Sequence, residues 1–425
     1  MNRRVFLKAG GLSLVTLGLT PSFLRRTALA MDLPRAARGK TLIVLFQRGA
    51  ADALNVVVPF GDANYYAARP QLAIGSPARV TGAAGAIDLD GYFGLHPALS
   101  PLKPLWDRGL LSPIHAVGSP SSTRSHFDAQ DYMETGTPDR KGTPDGWLNR
   151  YLAVKGTCEA CVVGEKPANV PFRAVSMTAQ MPRILGGSSP TVAMNSIDEF
   201  SIRTSGGAAE SRLEALYRTG SADLVHGSGT EMFEALRVLR AANPQQYKPT
   251  AGVEYPRSQF GQRLLAIAQL IKAGVGLEVA FADVGGWDTH VNQGGAQGQL
   301  AQRLGDFSQS IAALVADLGD RMDDTVILTM SEFGRTVRQN GTGGTDHGHA
   351  GAMFVIGGSL KSPRKVMGRW PGLAPEQLYE GRDLALTTDF RSVFSEIASK
   401  HLGAGSLDRI FPGYATPEQN WLGVL

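Results

Sequence analysis

Short, unbroken apolar runs set the first constraint on this chain. Thr41-Leu42-Ile43-Val44-Leu45-Phe46 is partly β-branched and carries no charge. It is too short for an ordinary helix and too apolar for a half-exposed strand, so it predicts a strand covered on both faces. Leu110–Val117, Leu277–Asp283, Val326–Met330 and Met353–Ile356 continue the pattern. Helical patterns lie between them. Residues 98–108 read as a helix, and Phe260, Leu264, Ile267 and Ile271 recur at helical spacing. Leu300, Leu304, Phe307, Ile311, Leu314 and Leu318 mark one face of a long amphipathic helix. This alternation predicts an α/β three-layer sandwich, a central, mostly parallel mixed sheet with helices on both faces.

The first 30 residues stand apart. Arg3-Arg4, Phe6-Leu7-Lys8, a weakly apolar run and Ala28-Leu29-Ala30 read as a twin-arginine signal peptide with a small-residue cleavage site. That predicts a periplasmic or extracellular protein whose partner during export is the twin-arginine translocase. The whole chain of 425 residues has 42 basic and 38 acidic side chains. Losing the five basic residues of the signal leaves 37 against 38, which disfavours a nucleic-acid binder or a polybasic membrane-surface protein. Hydrophobic residues at 43% and charged residues at 19% suit a globular chain with a large core. No later apolar stretch approaches the ~20 residues that span a bilayer. Residues 31–425 read as a single domain, with a cap or insertion at about 155–255 and candidate helices near 209–218 and 229–242.

Export in the folded state favours a metal or cofactor acquired before translocation. The two cysteines, Cys158 and Cys161, form a C-E-A-C pair suited to a local disulfide in an oxidising compartment. Their flanks, Gly156-Thr157 and Val162-Val163-Gly164, read as loop, which disfavours a redox motif. Two cysteines alone cannot complete a four-ligand zinc site.

Chemistry gathers where the strands end. Asp52 follows the first, and Arg124, Ser125 and His126 follow Leu110–Val117. Ser125 with Asp128 three residues on also reads as a helix N-cap. Asp288 and His290 stand after the strand at 277–283, and Glu332 and Arg335 after that at 326–330. Asp346, His347 and His349 follow a glycine-rich turn. Parallel strands deliver such loops to one carboxyl edge, where ligands bind in open α/β sheets. Asp52, Asp288, His290, Glu332, Asp346, His347 and His349 are therefore candidate ligands for one or two divalent ions, zinc, manganese or calcium. Each has a plainer alternative. Asp52 caps a turn, Asp288 and His290 lie on a surface turn, Glu332 pairs with Arg335, and Ser125 only caps its helix. His96, His115, His226 and His401 read as structural. Arg48, Arg124 and Arg335 are candidate oxyanion forks, with a solvated surface charge as the alternative.

These stretches, Leu42–Asn55, Leu95–Gly118, Ser125–Gly136, Gly-Trp-Asp-Thr-His, Ser331–Thr336 and Thr345–Gly358, resemble the alkaline phosphatase superfamily. More closely, they resemble its branch of exported bacterial sulfatase-like proteins. The resemblance implies hydrolysis or transfer of a phosphate or sulfate ester at one or two metals. It implies Asp52 as the first-strand metal carboxylate and Ser125, with Arg124 beside it, as the catalytic pair. Asp288 and His290 would be the middle ligands, and His347 or His349 the late histidine. At Glu332-Phe333 the superfamily carries Asp-His, and the Cys/Ser-x-Pro-x-Arg sulfatase signature is absent near Arg124. The alternative this departure implies is a catalytically inactive member of the same fold, serving as a binding or assembly partner for another exported protein.

Overall fold

The computed structural model describes residues 39–78, 84–156, 172–197, 233, 235–244, 247–361, 364–415 and 418–425. The signal segment, Cys158, Cys161, His226 and the candidate helix at 209–218 lie outside the described residues.

Eleven strands are described: β1 Thr41–Gln47, β2 Val57–Val58, β3 Ile87–Asp88, β4 Gly94–Leu95, β5 Leu111–Gly118, β6 Ala174–Ser176, β7 Val192–Ala193, β8 Val279–Val284, β9 Thr325–Met330, β10 Gly351–Gly357 and β11 Thr388–Asp389. Eight form the central sheet in the order β11-β5-β10-β9-β1-β8-β6-β7, while β2, β4 and β3 make a small antiparallel sheet. Every described pairing in the large sheet is parallel except those of β10, which runs against β5 and β9. The predicted mixed, mostly parallel sheet is therefore present.

Alternation along β1 builds the layers. Ile43 and Leu45 point into one core with the helices Gln259–Ala273 (α1) and Gln299–Leu318 (α2). Leu42, Val44 and Phe46 point into the other with Trp147, Phe390 and Phe394. Side chains of successive strand residues face opposite sides of the sheet, so one wholly buried strand serves both cores. The predicted stripe of α2 is buried in full, Leu300 through Leu318.

The observed strand bounds fall within about two residues of the sequence expectation. The predicted helix at 98–108 divides into a 3-10 turn, Pro97–Leu102, and a short α-helix, Lys103–Asp107. Pro101 and Pro104 lack the N–H groups a continuous α-helix needs there. Within the predicted insertion, β6 and β7 belong to the central sheet, and residues 235–242 are helical. Among the described residues no helix is long and apolar enough to cross a membrane.

Candidate metal centre

The carboxyl edge of the parallel strands collects the loops, and the reversed β10 adds one more. Because β10 runs antiparallel, the segment entering it, Asp346–Ala350, lies at the edge that β1, β5, β8 and β9 leave. Loops from far apart in the sequence nest tightly there. A Cβ on Gly344 would stand 2.2 Å from the carbonyl oxygen of His290, and one on Gly348 would stand 2.4 Å from the carbonyl carbon of Arg335. Only glycine permits either approach.

Three imidazoles and one carboxylate meet. Asp288 Oδ1 lies 3.5 Å from His126 Nε2, 3.0 Å from His290 Nε2 and 3.3 Å from His347 Nε2. His290 Nε2 and His347 Nε2 are 3.0 Å apart. His126, Asp288 and His347 can present one ligand atom each, all within 4.8 Å of one another.

The other ring nitrogen of each histidine is anchored. His126 Nδ1 donates to Glu332 Oε1 at 2.8 Å, His290 Nδ1 to Asp346 Oδ1 at 3.0 Å, and His347 Nδ1 to the Arg124 carbonyl at 2.8 Å. All three partners only accept, so Nδ1 carries a proton in each ring, and in the neutral form of the ring Nε2 carries a lone pair. Three lone pairs then converge on a carboxylate oxygen. Nε2 of His126 is buried with no hydrogen-bond partner. A cation satisfies this arrangement by taking up the lone pairs of the neutral rings. A tetrahedral ion with nitrogen and oxygen ligands at ~2.0–2.1 Å needs its donors roughly 3.3 Å apart, and the distances from Asp288 Oδ1 to the three Nε2 atoms, 3.0 to 3.5 Å, are close to that spacing.

The surrounding residues fix these donors. Glu332 is fully buried and accepts from Gly49 N at 2.8 Å, Gln130 Nε2 at 2.9 Å and His126. Burial pushes its pKa up, but these donors outweigh burial and hold it below the ordinary glutamate value. The hydrogen bond to Glu332 in turn raises the His126 pKa. Burial lowers that of His347. Asp288 also bonds to Arg335, and this guanidinium outweighs burial to keep its pKa below the usual range. Arg335 spends its remaining donors on the carbonyls of Gly49, Ala50, Thr345 and Trp287.

The predicted residues separate into groups. Asp288, His290 and His347 converge. Glu332 and Asp346 stand one bond behind, holding imidazoles rather than pointing at the common centre. Asp52 accepts from Arg69 Nη1 and Gln293 Nε2, each at 2.6 Å, in a wholly buried ion pair. His349 is buried and stacked on Tyr379, ring centroids 4.2 Å apart. Ser125 caps its helix, His126–Thr135, accepting from Asp128 N at 3.5 Å, and its side chain is otherwise exposed.

The predicted oxyanion forks are all engaged. Arg124 pairs with Glu380 and Asp383, both at 2.7 Å, which makes it a strut for the carbonyl that anchors His347. Arg48 pairs with Glu134 and Asp283. His126, which the expected ligand set does not include, also turns Nε2 toward Asp288. Its signal was a histidine opening a helix just after a strand's carboxyl end, beside the serine that drew attention as a cap.

No curated protein matches the chain. Among solved structures, it is similar to the lipoteichoic acid synthase LtaP from Listeria monocytogenes, with a TM-score of 0.35 and 10% identity over 80% of this chain and 72% of that one. It is also similar to the PsFucS1 sulfatase from Pseudoalteromonas sp., with a TM-score of 0.36 and 11% identity over 95% of this chain and 74% of that one. A family model described as "Protein of unknown function (DUF1501)" matches residues 115–409, and the chain belongs to that family.

Proposed function

We propose that this protein is an exported, metal-dependent hydrolase or transferase acting on a phosphate or sulfate ester, with one divalent ion held by His126, His290, His347 and Asp288. The convergence of three anchored imidazoles on the Asp288 carboxylate carries this reading. Imidazole donors suit zinc or manganese better than calcium, which takes oxygen ligands. When bound, the ion would polarise an ester oxygen and ease deprotonation of a hydroxyl or water beside it.

The chain's own residues supply the rest. Asp288 and His290 are partly exposed, so the centre opens to solvent. Ser125 is the candidate nucleophile, immediately preceding the ligand His126 at a helix N-terminus that favours an incoming anion. Arg124 supports the site through His347, and its Nε and Nη2 are held by Glu380 and Asp383. With Asp52 held in an ion pair, a single ion is the simpler assignment. The Glu332-Phe333 departure supports activity rather than its loss, because Glu332 orients His126, and Phe333 stacks on that ring with centroids 4.9 Å apart.

The test is elemental analysis of the exported mature chain together with turnover of an aryl phosphate and an aryl sulfate. The expected result is about one divalent ion per chain and hydrolysis of one ester, lost on His347→Ala. A metal-free chain that stays inert with added zinc or manganese overturns the proposal.

A further inference from the structure

We infer that Asp52 is a positioning residue for the metal centre, acting through Gln293 on two of the three segments that carry its donors, and is not a ligand. The inference rests on the metal reading above. Asp52 Oδ2 accepts from Gln293 Nε2 at 2.6 Å. Gln293 Oε1 then accepts from Thr289 Oγ1 at 2.8 Å and Thr345 Oγ1 at 2.7 Å. Thr289 lies between the donors Asp288 and His290. Thr345 precedes Asp346, which anchors His290, and the donor His347. The two loops also touch directly, Thr345 N donating to the Thr289 carbonyl at 3.2 Å.

Direction within this chain follows from charge. A carboxylate only accepts, so Asp52 obliges Gln293 to turn its NH2 toward it and its oxygen toward the two threonines. Flipping that amide would set oxygen against carboxylate and leave both threonine hydroxyls without their acceptor. Arg69 donates to the same Oδ2 of Asp52 at 2.6 Å, while Oδ1 is buried without a hydrogen-bond partner, and Arg69 also donates to the carbonyls of Thr336 and Val337 at 2.8 Å, just beyond Arg335. Asp52, Arg69, Gln293, Thr289 and Thr345 are all buried, so no water substitutes readily for a lost partner. A carboxylate beneath the loops thus dictates how their donors face one another.

The test is cobalt(II) titration of the full chain after chelator stripping, read by affinity and by the visible absorption bands of the bound ion. The unsubstituted chain should bind one cobalt. Gln293→Met, which leaves the Asp52–Arg69 pair intact, should weaken binding by about tenfold to a hundredfold and shift the bands, while thermal unfolding stays cooperative. Thr345→Val should act in the same direction and decides the matter if Gln293→Met does not fold. A folded Gln293→Met or Thr345→Val chain with unaltered affinity and bands overturns the inference. So does loss of cobalt in Asp52→Asn while Gln293→Met binds normally, which would make Asp52 a ligand. Absence of cobalt binding in the unsubstituted chain overturns the metal centre itself, and this inference with it.

Discussion

Two sets of three histidines, one at the sheet edge and one in the interior, differ in which ring nitrogen is committed. At the sheet edge, His126, His290 and His347 spend Nδ1 on an acceptor and turn Nε2 toward a shared point. In the interior, Nε2 is the committed atom. His96 donates it to the Gly295 carbonyl, His115 to that of Val57 and His401 to that of Thr41. His96 and His115 also accept a backbone N–H at Nδ1, so neither nitrogen is left for an ion. The interior rings brace backbone that would otherwise lack a partner, and burial keeps them neutral. The lesson is that histidine count and burial do not separate a ligand from a brace. The direction of the uncommitted lone pair does.

The sharpest way to break this contrast is to remove one edge ring. His126→Ala should take bound metal from one ion per chain to none, whereas His401→Gln should leave metal content unchanged, both read by elemental analysis.

A second experiment probes the interior set through acid. Burial pushes the pKa of His115 and of His401 down to about 4, while in the unfolded chain each takes up a proton near 6.5. Their contribution is complete above pH 6.5 and is lost as pH falls from 6.5 through 4, up to about 3 kcal/mol for each ring. Urea midpoints measured at pH 7 and pH 4.5 should therefore fall less in His401→Gln than in the unsubstituted chain. An equal fall would place His401 outside the bracing set.

Loosening an anchor without touching a ligand comes next in size. Glu332→Gln should weaken zinc binding by about tenfold to a hundredfold, with folding retained, as measured by competition with a chromophoric chelator. At the small end, Phe127 adjoins His126 but is 89% exposed. Phe127→Ser should move stability by no more than about 0.5 kcal/mol and leave zinc affinity unaltered, whereas a large drop in affinity would mean that this side chain helps hold the ring.

Much of the fold was legible because burial on both faces leaves a plain mark. The runs at 41–46 and 326–330 and the stripe from Leu300 to Leu318 needed no tertiary information. The two-residue strands β2, β3, β4, β7 and β11 were not legible, since so short a pairing is created by its neighbours rather than by its own sequence. The edge that gathers the loops follows from sheet topology, and of the residues expected there Asp288, His290 and His347 lie together. Residue type alone could not tell Glu332 and Asp346 from direct ligands, because a carboxylate serves equally well facing an ion or facing an imidazole N–H. The partner of Asp52 is hidden for a related reason. Arg69, seventeen positions away in a different loop, takes up its charge, and nothing in either segment announces the pairing. His126 was passed over because its neighbour Ser125 offered a sufficient local explanation of the segment, and only the fold shows which way the ring turns.

The buried guanidinium of Arg335 has a consequence for which ions the centre can hold. Arginine stays protonated at every pH at which a protein folds, so its positive charge offsets the negative charge of Asp288, and that pair is neutral toward an arriving guest. The remaining formal charge sits behind the rings, one unit on Glu332 and one on Asp346, and it reaches the centre through two polarised imidazoles. Two negative units match a doubly charged ion. On the proposed metal reading, a singly charged ion would leave an excess of negative charge and a triply charged one an excess of positive charge, so groups that never touch the ion would favour a divalent guest.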